Sequence, residues 1–221
     1  REIFRKTLDC TVWPRKPVPA AQQPATVFDP SGKTAALLGR SWRRVDRLAE
    51  LPGDTRILAI GEGVFESPGD APPVIGKADT DAEILVDFVV NGGTLMVFAQ
   101  TTYPAGVFPV SLSDRGSTIC FPTMVEHPTL TGLVTEDMRY WAGDGEHGVS
   151  LCEPARPAGG RPLVVSGGKH GLATAPLIEY PAGAGRLILC QLRVIEKADI
   201  EPAARQLLAN LVRYAEQRWP A

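Results

Sequence analysis

Residues 80–99 read TDAEILVDFVVNGGTLMVFA, a helix pattern, a double glycine and a strand pattern in succession. Thr80 and Glu83 have the spacing of a capping box, in which each side chain satisfies a free backbone N–H at the helix start. Ile84, Leu85, Phe88 and Val89 recur at helical spacing and make one apolar face. Gly92 and Gly93 end the helix, because glycine adopts the left-handed conformation at little cost. Thr94–Ala99 is then a continuous apolar run, as expected of a central parallel strand covered on both faces. Residues 56–61, RILAIG, have the same character. A Pro/Gly-rich loop at 66–76 and the helix at 80–91 join the two runs, which predicts adjacent parallel strands linked by a right-handed crossover.

Toward the N-terminus, Ala25–Asp29 reads as a first strand stopped by Pro30, and Thr34–Arg40 as a short helix. Arg44–Leu51 is ambiguous, with a strand near Val45 and a turn into Pro52-Gly53. Residues 1–24, rich in proline and mixed charge, read as an arm or linker. Toward the C-terminus, residues 100–160 are dense in Pro, Gly and Ser and read as an insertion of loops and short strands. Leu163–Ser166, Ala175–Tyr180 and Arg186–Leu192 are strand-like, the last two joined by a hairpin through residues 181–185. Asp199 is the expected cap of a final helix with Pro202 in its first turn. Leu207, Leu208, Leu211, Val212 and Ala215 form its buried face. The order predicts an α/β domain over 25–221. Its expected form is a three-layer sandwich around a mostly parallel, flavodoxin- or amidotransferase-like sheet, with an insertion at about 100–160.

A chain of 221 residues can bury one sizeable core. Its net charge of −2 and the lack of a Lys/Arg stripe argue against a nucleic-acid partner. No run approaches the ~18 apolar residues of a membrane span, so no membrane partner is expected. No signal-peptide pattern is read in these residues, and none is expected in them. The chain starts at Arg1 rather than methionine and reads as a piece of a longer soluble protein of undetermined compartment. Cys10, Cys120, Cys152 and Cys190 form no CxxC pair, which argues against a zinc site or disulfide framework. Cys190, within an apolar run, reads as a buried strand thiol.

Ser31-Gly32-Lys33-Thr34 resembles the end of a phosphate-binding loop, but the glycine required five residues before Gly32 is Val27. The motif therefore reads as a turn into a helix. Trp141 with Asp144 is a pattern that binds sugars by stacking and hydrogen bonding, or else a loop pinned by a core tryptophan. Asp29, Glu62, Gln100 and Arg193 fall at the carboxyl ends of the expected strands, where open α/β sheets bind ligands. They are candidate binding residues, and equally what any strand end shows to water. A histidine-based hydrolase would have to use His127, His147 or His170.

Six segments carry a resemblance to a known group: VFDPSGKTAALL (27–38), ILAIGEG (57–63), FVVNGGTLMVFAQ (88–100), HPTLTGL (127–133), DMRYWAGD (137–144) and LILCQLRVIEK with EPAARQLLANLVRY (187–214). In this order they resemble the amidotransferase-like, trimerisation-type domain of β-galactosidases and related bacterial glycoside hydrolases, a branch of the class I glutamine amidotransferase fold. The resemblance implies no cofactor. As partners it implies a homo-oligomer or a parent multidomain enzyme, with a carbohydrate or ester as substrate. It also places Ala99 where the wider group has its nucleophilic cysteine and Arg193 where it has its histidine base. Alanine offers no nucleophile and a guanidinium takes no proton, so glutaminase activity is not expected. Two readings follow: a non-catalytic domain supporting assembly or a substrate cleft of a carbohydrate-active enzyme, or an ester or amide hydrolase with a rebuilt site. For the second, Cys120 and His127, seven residues apart in the insertion, are the candidate nucleophile and base.

Overall fold

The computed structural model describes residues 13, 17–65, 78–104, 106–142, 148–155, 159–168 and 171–217. The expected loop at 66–76, and Asp144, His147 and His170, lie outside them. One mixed eight-stranded sheet runs through the domain: β1 (Ala25–Phe28), β2 (Trp42–Val45), β3 (Ile57–Ile60), β4 (Thr94–Val97), β5 (Cys120–Pro122), β6 (Arg161–Gly168), β7 (Gly171–Ala182) and β8 (Gly185–Cys190). The spatial order is β2-β1-β3-β4-β8-β7-β6-β5. The first five are mutually parallel and the last three are joined by antiparallel pairing. The fold is thus α/β in class. The two apolar runs that open the sequence reading are parallel neighbours, Ile57 opposite Thr94 and Ile60 opposite Val97.

Apart from Thr94 those strands are apolar throughout, because successive side chains enter different clusters. Ile57, Ala59, Met96, Ile188 and Cys190 pack with Leu38 of α1 (Lys33–Leu38), Ile195 of α3 (Val194–Lys197) and Leu208 and Leu211 of α4 (Pro202–Ala215). Leu58, Ile60, Leu95, Val97, Leu187 and Leu189 pack with Leu85 and Val89 of α2 (Ala78–Val90). Each large aliphatic side chain buried this way contributes roughly 1.5–3 kcal/mol relative to exposure. The expected face of α4 is buried throughout. On α2 only Leu85 and Val89 are fully buried, while Ile84 and Phe88 are half-buried.

The termini of both long helices differ in detail from expectation. Helix α2 begins at Ala78, so Thr80 is a helical residue and not the cap of a box with Glu83. Alanine and aspartate suit a first helical turn as well as threonine suits a cap. The end of α2 is as expected. Gly92, at φ 101°, donates to Val89 O, and Gly93 N donates to Phe88 O (2.9 Å), the paired bonds of a Schellman motif. A Cβ at Gly93 would lie 2.4 Å from Phe88 Cε1, so this position needs glycine for space as well. Helix α4 is capped by Glu201, whose carboxylate accepts from Ala203 N, whereas Asp199 pairs with Arg205. Pro202 has no N–H to give and its φ suits the first helical position, which sets the cap at the residue before it.

Between β4 and β6 the chain forms β5 and the 3-10 turns Pro128–Leu130 and Thr135–Met138, in keeping with an insertion of short elements. Strand β5 pairs with β6 and so extends the main sheet. The described part of the expected arm at 1–24 lies on the domain: Trp13, Val18 and Ala21 pack against the core, and Gln22 and Gln23 bond to Glu216.

Candidate functional site

The carboxyl ends of the parallel strands carry the polar residues anticipated there, and each is engaged by groups beside it. Asp29, fully buried after β1, accepts from Ser31 Oγ (2.6 Å) and from Ala35 N (2.8 Å). The Ser31–Thr34 motif is therefore a turn tied to Asp29, with Gly32 left-handed at φ 76°. Lys33 Nζ donates to Glu62 Oε1 (2.7 Å), and Thr34 Oγ1 accepts from Glu62 N (3.0 Å). Glu62 Oε2 is buried with no protein partner.

Gln100 lies in the middle of this end and is fully buried. Its amide donates to Gly61 O (2.6 Å) and Phe98 O (2.8 Å) and accepts from Phe65 N (2.9 Å). Its own N–H donates to Gln191 Oε1 (2.7 Å), and Gln191 Nε2 returns bonds to Gln100 O (3.0 Å) and Cys152 O (3.1 Å). Two glutamines thus close the gap between the ends of β4 and β8. Ala99 beside them is buried, its carbonyl accepting from Gly63 N (2.9 Å). Arg193 is held by both oxygens of Glu196, at 2.6 and 2.7 Å. Burial opposes the Glu196 charge, but Arg193 and Lys197 outweigh it and hold the carboxyl below its usual range.

The other candidates are separated. Cys120 is fully buried and its Sγ is 4.0 Å from Ser150 Oγ. Burial, helped by the charge of Glu153, pushes the thiol far above its ordinary range, where no thiolate forms. His127 packs edge-on against Tyr214, ring centroids 4.6 Å apart, with Nε2 3.8 Å from Glu179. Cys120 is opposite Ser166 and Glu179 is opposite Arg161. Positions 161 and 166 are five residues apart on β6, about 16 Å at ~3.3 Å per residue. The structure does not bring Cys120 and His127 together. Trp141 is fully buried, its Nε1 donating to Asp137 O (2.7 Å), and offers no ring face for stacking.

Two buried acids carry clusters that the sequence reading passed over. Glu153 accepts from Ser150 Oγ and from Thr174 Oγ1 (2.6 Å), and Thr174 also bonds Ser166. The backbone beside it is strained, Cys152 standing at φ 45°. Glu179 accepts from Arg161 Nε (3.0 Å), from the Arg161 terminal nitrogen and from the Tyr214 hydroxyl, with Arg186 at 3.9 Å. An acid inside the apolar run Ala175–Tyr180 was the available signal for the second. A groove of about 400 Å³ between α2, residues 106–109 and the β7–β8 hairpin is lined, among the described residues, by apolar groups and Tyr180. Among the described residues no His, Cys, Asp and Glu side chains group to hold a metal ion, and no helix is long and apolar enough to cross a membrane.

Neither a protein-family model nor a curated protein matches the sequence. Solved structures do. A β-galactosidase from Rahnella sp. R3 superposes with a TM-score of 0.54 at 10% identity, over 87% of this chain and 31% of that one. A ThuA-like protein from Bacteroides uniformis gives 0.52 at 10% identity, over 90% and 95%. An exo-β-1,4-mannosidase from Opitutaceae bacterium strain TAV5 gives 0.47 at 15% identity, over 87% and 31%. The chain spans about a third of the length of these glycosidases. At such identities the likeness is one of fold.

Proposed function

We propose that this chain is a non-catalytic, amidotransferase-like domain that supports a multidomain carbohydrate-active enzyme, in its assembly or as a wall of its substrate cleft. The observation that carries the reading is the closed carboxyl end of the parallel strands. Buried Ala99 stands at the nucleophile position, Gln100 and Gln191 fill the space beside it, and Arg193 at the base position is clamped by Glu196. Acyl transfer needs a nucleophile within hydrogen-bond reach of a base, next to room for substrate. The β2-β1-β3-β4 order and the helices packed on both faces support a flavodoxin-like, three-layer arrangement. The likeness to a domain-sized third of a β-galactosidase supports the association with a larger glycosidase.

The rebuilt-hydrolase alternative would rest on Cys120 and His127, and the buried thiol and its distance from the imidazole leave it without support. The test is direct. The purified chain is assayed for ammonia release from glutamine and for hydrolysis of a chromogenic acetate ester. No turnover above the protein-free rate is expected, for this chain and for Cys120→Ala alike. Ester hydrolysis reduced ~100-fold or more by Cys120→Ala or His127→Ala, the scale of general-base catalysis, would overturn the reading.

A further inference from the structure

The insertion is fastened to α4 at a joint built around a single imidazole. His127 caps the turn Pro128–Leu130: its Nδ1 accepts from Thr129 N (3.3 Å) and shares a bond with Thr129 Oγ1 (2.9 Å). Its ring packs edge-on against Tyr214 of α4. Asn210, one turn earlier on α4, holds the carbonyls of Thr129 (3.1 Å) and Thr131 (2.8 Å). We propose that His127 is a pH-operated latch, which docks residues 127–133 on α4 while neutral and releases them when protonated.

The geometry favours one protonation state. Accepting from Thr129 N requires a lone pair on Nδ1, so the neutral ring carries its proton on Nε2; a doubly protonated ring can donate to Thr129 Oγ1 but no longer accepts from Thr129 N, and that cap bond is lost. The charged groups around the ring come from every element packed on it: Glu179 from β7, Arg161 from β6 and Arg186 from β8, with the Tyr214 hydroxyl from α4. Farther along α4, Arg213 reaches Asn210 (3.4 Å), and Glu126 precedes the ring on its own loop. Glu179 is engaged by Arg161 and Tyr214, and at 3.8 Å Nε2 is beyond hydrogen-bond reach of it. A charged imidazole would thus be a third cation facing one carboxylate in a buried site.

The same environment displaces the titration. Burial, with Arg161 and Arg186, outweighs the pull of Glu179 and lowers the His127 pKa below its ordinary 6.5. The folded pKa is depressed, so the docked state is fully favoured above pH 6.5 and weakens as pH falls through the folded value. Carboxylates ionise well below this window, which separates the latch from general acid unfolding.

The experiment follows the imidazole resonances of the full chain by NMR from pH 8 to 5, alongside hydrogen-exchange protection factors corrected for intrinsic rates. His127 should titrate below 6.5. Protection of the Leu130 and Leu133 amides should drop at least ten-fold between pH 7.5 and 5.5 with the midpoint of that titration, while Leu58 and Leu95 in the central strands stay constant. His127→Asn keeps an acceptor suited to a cap and removes the titration, so its protection should not respond to pH. Three results would each overturn the latch: a His127 pKa at or above 6.5, loss of protection at a pH unrelated to the ring's titration, or the same pH response in His127→Asn. The first two need only the wild-type chain.

Discussion

At the carboxyl ends of β4 and β8, Gln100 and Gln191 close the sheet with neutral amides. At the opposite end of β8, Arg186 and Tyr214 meet Glu179 and Arg161 in an ionic cluster. Gln100, Gln191, Glu179 and Arg186 are buried, Arg161 is partly exposed at the edge of its cluster, and both clusters join segments far apart in the chain. The amides satisfy one another without charge and fill the space between the ends of the two strands. The ions are the densest charge in the interior, yet they hold α4 to the sheet: Arg186 lies 4.1 Å over the Tyr214 ring and donates to the carbonyls of Tyr214 and Gln217 at the helix end. In this fold the ionic cluster marks a joint between elements, whereas the glutamine pair that closes the ends of β4 and β8 is neutral, with Asp29, Lys33–Glu62 and Arg193–Glu196 placed around it.

The hardest test of that contrast is Glu179→Ala. It leaves Arg186 buried opposite no carboxylate, and breaking a buried ionic group costs about 3–5 kcal/mol. Urea unfolding at pH 7 measures the loss, and a value under ~1 kcal/mol would show the cluster to be solvated. Leu208→Ala, in the apolar core beside it, should cost about 2–5 kcal/mol by the same measurement, as large-to-small core changes do. A midpoint within ~0.5 kcal/mol of wild type would mean that α4 is not packed as described.

The neutral cluster should respond less. Gln191→Ala removes the acceptor of the Gln100 N–H and the donor to the Gln100 carbonyl, at about 1–3 kcal/mol. Gln100→Ala should cost a similar amount, and the double variant less than the sum, because the two share their bonds. Strict additivity would show that the glutamines act independently. The smallest effect belongs to Arg193–Glu196. Glu196 is about a third exposed, so Arg193→Gln is expected to cost under ~1 kcal/mol. The folded pKa of Glu196 lies below its ordinary 4.5, so this contribution is present above pH 4.5 and is lost as pH falls through the folded value. Glu196→Gln should therefore narrow the stability difference between pH 5 and pH 3. A difference as large as in wild type would assign the acid sensitivity elsewhere.

Legibility in the sequence followed range. Gly92-Gly93 encodes its own helix end, and the runs at 57–60 and 94–97 carry their burial in every residue. The N-terminal ends of α2 and α4 misled because Thr80 and Asp199 are plausible caps locally, whereas Thr80 lies inside α2 and Pro202 sets the cap of α4 at Glu201. At the site, Ala99 and Arg193 could be read as chemically inert from identity alone. Trp141 could not be divided between core and ligand platform, since a tryptophan suits both. The pairing of Cys120 with His127 assumed that nearness along the chain becomes nearness in space, and the extended strand β6 separates them.

The sequence by itself determined the α/β class, the central parallel strands and the buried face of α4. These follow from hydrophobic period, glycine conformation and side-chain chemistry, which act within a few residues. Only the tertiary structure decided that Gln100 meets Gln191, that Glu179 gathers Arg161, Arg186 and Tyr214, and that His127 is the cap by which the insertion grips α4. Each of these joins groups on different elements, most of them far apart in the chain. A polar side chain shows that it needs a partner when buried, but which partner it finds depends on how the strands are ordered in the sheet.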